Sequence, residues 1–246
     1  MYAAVFLVGV LLLGALITLL VRGAPTPSIT LDITPPSFDP IVVEDVSIIR
    51  HDTSVDLVAR LRNPNPRAGI TEYPVTFTLL DASERELSTT TVITYLLPGS
   101  IQYAVAVSVP TTRPVAEVQV DVPEDLAFVN LPNSLTLPSF GTLLQDRERL
   151  LRGAQTIEQQ VGLVTNNSTF DFQRVEVIVV ALDSTDRAIG VGQTFVGELK
   201  VGEQRQFTSQ WPAPQVATRG VLLLATTNIF KEGNIIQAIG DPGLLR

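Results

Sequence analysis

No cysteine occurs in this chain, and histidine, methionine and tryptophan occur once each. The missing thiols exclude disulfides, thiolate metal sites, c-type haem attachment, cysteine nucleophiles and a lipid-modified cysteine anchor. They do not fix a compartment, because a thiol-free chain suits either redox environment. Basic residues are also short: 17 Lys+Arg face 25 Asp+Glu, for a net charge of −8. That sign argues against nucleic acid and against docking on anionic lipid through a basic patch. No P-loop or dinucleotide glycine pattern is present, and Gly190-Val191-Gly192 falls on a hairpin return. The lone His51 stands beside Asp52 without a nucleophile elbow to serve it. The expectation is a non-enzyme with no catalytic residues, no cofactor, no metal site and no small-molecule substrate.

What the chain does have begins at its N-terminus. Tyr2–Val21 runs for twenty residues without a charge, and as a helix it spans about 30 Å, the thickness of a bilayer core. Residues 1–22 are expected to be a transmembrane helix that anchors the protein in the lipid bilayer, in the manner of a signal anchor. The rival is a cleaved signal peptide, but the run exceeds a normal h-region and Pro25 follows Ala24, a poor cleavage point. Residues 23–40 hold five prolines and read as an extended stalk. Ile29, Leu31 and Ile33 alternate there, so part of it could add an edge strand.

From Ile41 the pattern changes to short alternating strands. Val55-Leu57-Ala59-Leu61, Val75-Phe77-Leu79, Ile101 to Val109 and Val118-Val120-Val122 each repeat every second residue, broken by Pro, Asn, Asp and Gly. Period two with turn signals predicts an antiparallel β-sandwich over residues 41–123. Sliding the chain by 102 residues without a gap then superposes Leu61 on Leu163, Asn65 on Asn167, Val75 on Val177, Asp81 on Asp183 and Arg85 on Arg187. Leu61 to Pro110 shows nine identities with its displaced copy, against about three from composition alone. Mismatches keep apolar character, as in Val105 with Phe207, and Trp211 falls on Val109. Two copies of one sandwich domain are expected, the second over residues 155–246 with a C-terminal tail.

Phe77-Thr78-Leu79-Leu80-Asp81 resembles the F-x-L-Y-D signature of the small prokaryotic FxLYD domains, and in the second copy Val179 to Asp183 keeps the spacing and the aspartate. Asn63-Pro64-Asn65 is similar to the N-P-N turn of LEA14/WHy sandwich domains. These resemblances imply an immunoglobulin-like sandwich, commonly on the outer side of a membrane, with no catalytic residues to carry over. Asn65, Asp81, Asn167 and Asp183 are expected to hold turns. The two carboxylates in each of the Asp81–Glu84 and Asp183–Asp186 turns are read as solvating a hairpin, since Ca²⁺ needs six or more oxygens. Asn166 and Asn167 both head N-x-S/T triplets, of consequence only in a eukaryotic secretory setting.

Residues 124–154 are expected to join the domains. Leu126, Phe128, Val129, Leu131, Leu135, Leu137 and Phe140 are apolar without a sustained period, and either cap the first domain or offer a contact surface to another subunit. Thr142 to Gly153 is expected to form a short helix, with Thr142 and Gln145 as a capping box and Gly153 as its stop. Ile235 to Ile239 is either the last strand or a tail lying on a partner. The functional expectation is a single-pass cell-membrane protein whose extracytoplasmic sandwiches serve as an accessory subunit, binding another membrane protein or complex. A free-standing adhesin or ligand-binding receptor is the alternative.

Overall fold

The computed structural model describes residues 37–123, 126–132 and 135–236. The expected anchor, most of the stalk and the tail from residue 237 lie outside these. The described residues from Phe38 form one compact unit. Its strands are β1 (Val42–Arg50), β2 (Ser54–Arg62), β3 (Ala68–Leu80), β4 (Glu86–Leu96), β5 (Ile101–Pro110), β6 (Glu117–Asp121) and β7 (Phe128–Asn130). They continue with β8 (Phe140–Arg152), β9 (Gln155–Asn166), β10 (Asp171–Leu182), β11 (Ala188–Leu199), β12 (Gln204–Pro212), β13 (Gly220–Thr226) and β14 (Ile235–Ile236). The described part is mainly β, entirely antiparallel in its pairings and without a helix.

Four sheets form two sandwiches. In the first, β1-β2-β5 packs against β4-β3-β6, with β7 added to the start of β3. In the second, β8-β9-β12 packs against β11-β10-β13, with β14 added to the start of β10. Alternation places Leu57, Ala59 and Leu61 of β2 opposite Tyr73, Val75, Phe77 and Leu79 of β3 in the first core. The second core gathers Val164, Val175, Val177, Val179, Phe207 and Trp211. A third apolar cluster joins the sandwiches: Ile49, Val58 and Val105, on the outer face of the β1-β2-β5 sheet, meet Ile178, Val180, Leu182 and Val191 of β10 and β11. β10 is therefore covered on both faces. That is why Val177 to Leu182 reads as an unbroken apolar run where a half-buried strand would alternate.

Three expectations are corrected. The helix over Thr142 to Gly153 is instead strand β8, paired with β9 along its length. Its apparent helical faces arise because β8 is an edge strand, exposed over most of its residues, so burial imposes no period on it. Gly153, at φ 60°, opens a two-residue hairpin turn between Arg152 and Gln155, and this long local pairing overrides the helix propensity of its Leu, Gln, Glu and Arg residues. Secondly, the segment at 124–154 is no separate connector, since β7 completes the first sandwich and β8 begins the second.

Thirdly, the displacement between copies is not uniform. It is 102 across the hairpin β3–β4, where Val75 pairs Val92 as Val177 pairs Thr194. On β2 and β9 it is 103: Leu61 and Val164 both face a core, while Leu163 is only half-buried. The turn after β2 accounts for the difference. The side chain of Asn63 reaches the carbonyl five residues on, at Ala68, whereas Asn166 reaches one four residues on, at Phe170. A one-residue difference moves a strand's side chains to the opposite face. So the counterpart of Phe207 in the first core is Ala104, and Val105 points outward into the third cluster.

Candidate functional site

The apolar contact between the sandwiches does not extend along the whole of β10. Its outward residues run Arg174, Glu176, Ile178, Val180, Leu182; the last three meet the first sandwich, and the first two open into a cleft of about 340 Å³. Ile93 and Tyr95 of β4 form one wall, Gln193 and Phe195 of β11 another, and the segment Thr227–Asn234 the rim. Polar groups converge on the floor. The Tyr95 hydroxyl lies 3.4 Å from Glu176 Oε2 and 3.3 Å from Thr226 Oγ1, its single proton serving one of them at a time. Gln102 donates to the same Oε2 at 3.5 Å, and Gln193 donates to Oε1. Burial pushes the Glu176 carboxyl above its usual range, against the donors that favour its charge. Burial, then the nearby Glu176 charge, raises the Tyr95 phenol, so it stays a hydrogen-bond donor throughout the physiological range. The Arg174 guanidinium lies over the Phe195 ring at 3.4 Å, a cation–π contact that keeps this partly exposed aromatic in place. A concave site with apolar walls and a few converging polar groups is a binding geometry.

The turn residues fall into two repeated devices. In the β3–β4 hairpin, Asp81 Oδ1 accepts the amides of Ser83 (2.7 Å) and Arg85 (3.1 Å), and Oδ2 pairs with the Arg85 guanidinium at 2.8 Å. Asp183 does the same with Thr185 (2.7 Å), Arg187 (3.2 Å) and the Arg187 guanidinium at 3.0 Å. Glu84 and Asp186 take the left-handed conformation in the two turns. Both aspartates are occupied as internal acceptors. For Asp183 the Thr185 hydroxyl and amide, and for Asp81 the amides of Arg85 and Ser83, hold the carboxyl below its usual range. A depressed folded-state pKa contributes stability that is present above the ordinary carboxylate range and lost as pH falls through the folded value. The denaturation midpoint of wild type should thus exceed that of a D81N/D183N double variant at neutral pH, and the gap should narrow on acidification. A gap that stays constant with pH would remove the carboxylates' charge from the account.

The second device clamps the turn after the first core strand. Asn63 Nδ2 donates to the carbonyls of Ala68 and Leu97 at 2.7 and 3.0 Å, while its Oδ1 accepts the Asn65 amide at 3.0 Å. Asn166 donates to Phe170 and Leu199 at 2.8 and 3.1 Å, and accepts from Ser168 at 2.9 Å. Asn65 exchanges two bonds with the backbone of Asp39, as Ser168 does with Ser139. The turn assignment at Asn65 therefore stands beside a more deeply placed Asn63. That at Asn167 moves to Asn166 and Ser168, because Asn167 is exposed. The signal for Asn166 was the same uneven displacement that the gapless superposition passed over.

The apolar residues offered as contacts are placed differently. Leu126 and Phe128 pack on the first core, with Phe128 stacked on Phe38 at 4.4 Å. Phe140 packs on the second core against Phe172. Leu131, Leu135 and Leu137 are half-buried, and Val129 is exposed. The structure does not bring the seven together as one patch. His51 pairs with Asp56 at 2.8 Å, not with Asp52; buried Asp56 also accepts the Ser108 amide at 2.7 Å, so the Asp56 carboxylate ties the β1–β2 hairpin to β5. Among the described residues no group of three His, Cys, Asp or Glu is placed to hold a metal, and no helix is long and apolar enough to cross a membrane.

No family model matches the chain, and no curated protein matches it. Among solved structures, that of red sea bream transglutaminase is similar over 74% of this chain at 12% identity, with a TM-score of 0.23. The chain spans 28% of the length of that protein, and a likeness at this level carries no argument about fold or activity.

Proposed function

We propose that this chain is a non-catalytic, single-pass membrane subunit whose two extracytoplasmic sandwiches bind and stabilise another membrane protein or complex. The observation that carries the reading is β8. It is a thirteen-residue edge strand that leaves Leu143 57% and Leu151 75% exposed. An exposed edge offers unpaired backbone groups to another chain, and leucines beside it supply apolar contact. The bulge between Leu144 and Arg147 and the charged run Asp146–Arg149 are devices that restrain indiscriminate pairing of such an edge. Tyr2–Val21 supplies the anchor in this reading. The repeated Asp81 and Asp183 hairpins and the clamp at Asn63 support an affinity with FxLYD-like and LEA14-like modules.

Purification of the full chain from its native membranes in mild detergent, by a tag after Arg246, should bring down a partner in stoichiometric amount. A L143D/L151D variant, altered only at exposed positions, should lose it. A tagged chain that runs alone, or a variant that retains the partner, would remove β8 from the account. Protection of the sandwiches from external protease on intact cells would reverse the assigned orientation. The cleft favours the receptor alternative, in which a ligand rather than a subunit is recognised.

A further inference from the structure

We propose that the cleft between the sandwiches binds a small zwitterion of amino-acid size, its ammonium on Glu176, its carboxylate on Lys231 and its apolar part between Ile93 and Phe195. The proposal goes beyond the anchored-subunit reading and does not depend on it. Size comes first. A volume of about 340 Å³ is at the low end for ligand sites, which suits one amino acid better than a nucleotide or an oligosaccharide.

The walls come next. Ile93 is 68% and Phe195 45% exposed, and both line the same cleft. Large apolar side chains left in water beside a concavity gain free energy when a hydrocarbon group covers them. Neither is needed for the cores, and neither belongs to the third cluster.

The charges decide the class. The cleft is lined by two cations, Arg174 and Lys231, and two carboxylates, Glu176 and Glu232, so it favours a net-neutral ligand over an anion or a cation. Arg174 is committed to the Phe195 ring. Lys231 makes no ion pair among the described residues and is the cation left to receive a carboxylate. Glu176 is held in orientation by Gln193 on one oxygen, yet its other oxygen accepts only long bonds, at 3.4 and 3.5 Å. That oxygen has capacity for a closer, charge-assisted donor, and its partial removal from bulk water strengthens the attraction.

Three probes share one branched side chain and differ in their charged ends: leucine, isoamylamine, which lacks the carboxylate, and isocaproate, which lacks the ammonium. Each is titrated at neutral pH into the full chain in detergent micelles, with binding read by calorimetry and by the Ile93 methyl resonance. Leucine should give a saturable shift of that methyl, and the other two should bind about tenfold more weakly or worse, the loss expected for one charge-assisted hydrogen bond. E176Q and K231A should each weaken leucine by a similar factor; Lys231 is exposed, so its replacement leaves the fold intact whatever Glu176 contributes to the junction. The proposal is overturned by the absence of a saturable Ile93 shift at about 50 mM leucine, by equal affinity for the three probes, or by K231A binding leucine like wild type.

Discussion

Replacing Trp211 by alanine should lower the unfolding free energy by about 3–5 kcal/mol, the range for removing a large aromatic from a packed core. Trp211 is 2% exposed, and the chain around it is shaped to receive it. A Cβ at Gly190 would fall inside contact distance of the indole's five-membered ring, and one at Gly192 would strike the Ser209 hydroxyl and crowd the six-membered ring at 3.1 Å. Those two glycines are thus read as space for tryptophan on the facing sheet, which is why a Gly-x-Gly sits on a strand where it would otherwise weaken pairing. Alanine at Gly190 should cost about 1–3 kcal/mol through overpacking. The Trp211 Nε1–H has no partner among the described residues, so phenylalanine at this position removes an unsatisfied buried donor and should be far milder than alanine. Urea unfolding followed by far-UV circular dichroism ranks the three variants; alanine at 211 proving the mildest would refute the packing account.

Alanine at Asn63 or at Asn166 should each destabilise by about 3 kcal/mol, because two buried carbonyls and one amide lose their partners together. Both side chains are essentially inaccessible, at 1% and 0% exposure, so water does not replace the lost bonds. Asn167 is exposed, and its replacement by alanine should stay within about 0.5 kcal/mol. Chemical denaturation of the three single variants is sufficient. Equal effects at Asn166 and Asn167 would mean that the turn is held by backbone geometry alone.

The contrast between Asn166 and Asn167 shows what could be read without coordinates. Alternation is strong on β3 and β4 because one face of each meets a core, and the displacement of 102 was legible there. The turn after β2 is one residue longer than its counterpart after β9. No hydrophobic pattern records such a difference, so a rigid superposition slipped β9 by one residue and reversed its faces. β8 was illegible for the opposite reason: burying almost nothing, it carries no period, and its Leu, Gln, Glu and Arg residues satisfy a helical template by composition. The cleft was harder still. Its floor unites Tyr95 with Glu176 and Thr226, pairs separated by 81 and 131 positions, which no local motif encodes. The one legible sign was the unbroken run Val177 to Leu182, too apolar for a strand with one wet face.

That run makes β10 a party wall. Its two sides belong to different neighbours, so melting the second sandwich strips the covering from Ile49, Val58 and Val105 as well. Severing the chain between Asn130 and Phe140 would not release two self-sufficient halves. It would leave the N-terminal piece with a raw apolar flank and a tendency to stick, and evolution could not have shuffled either half away without first repainting that flank.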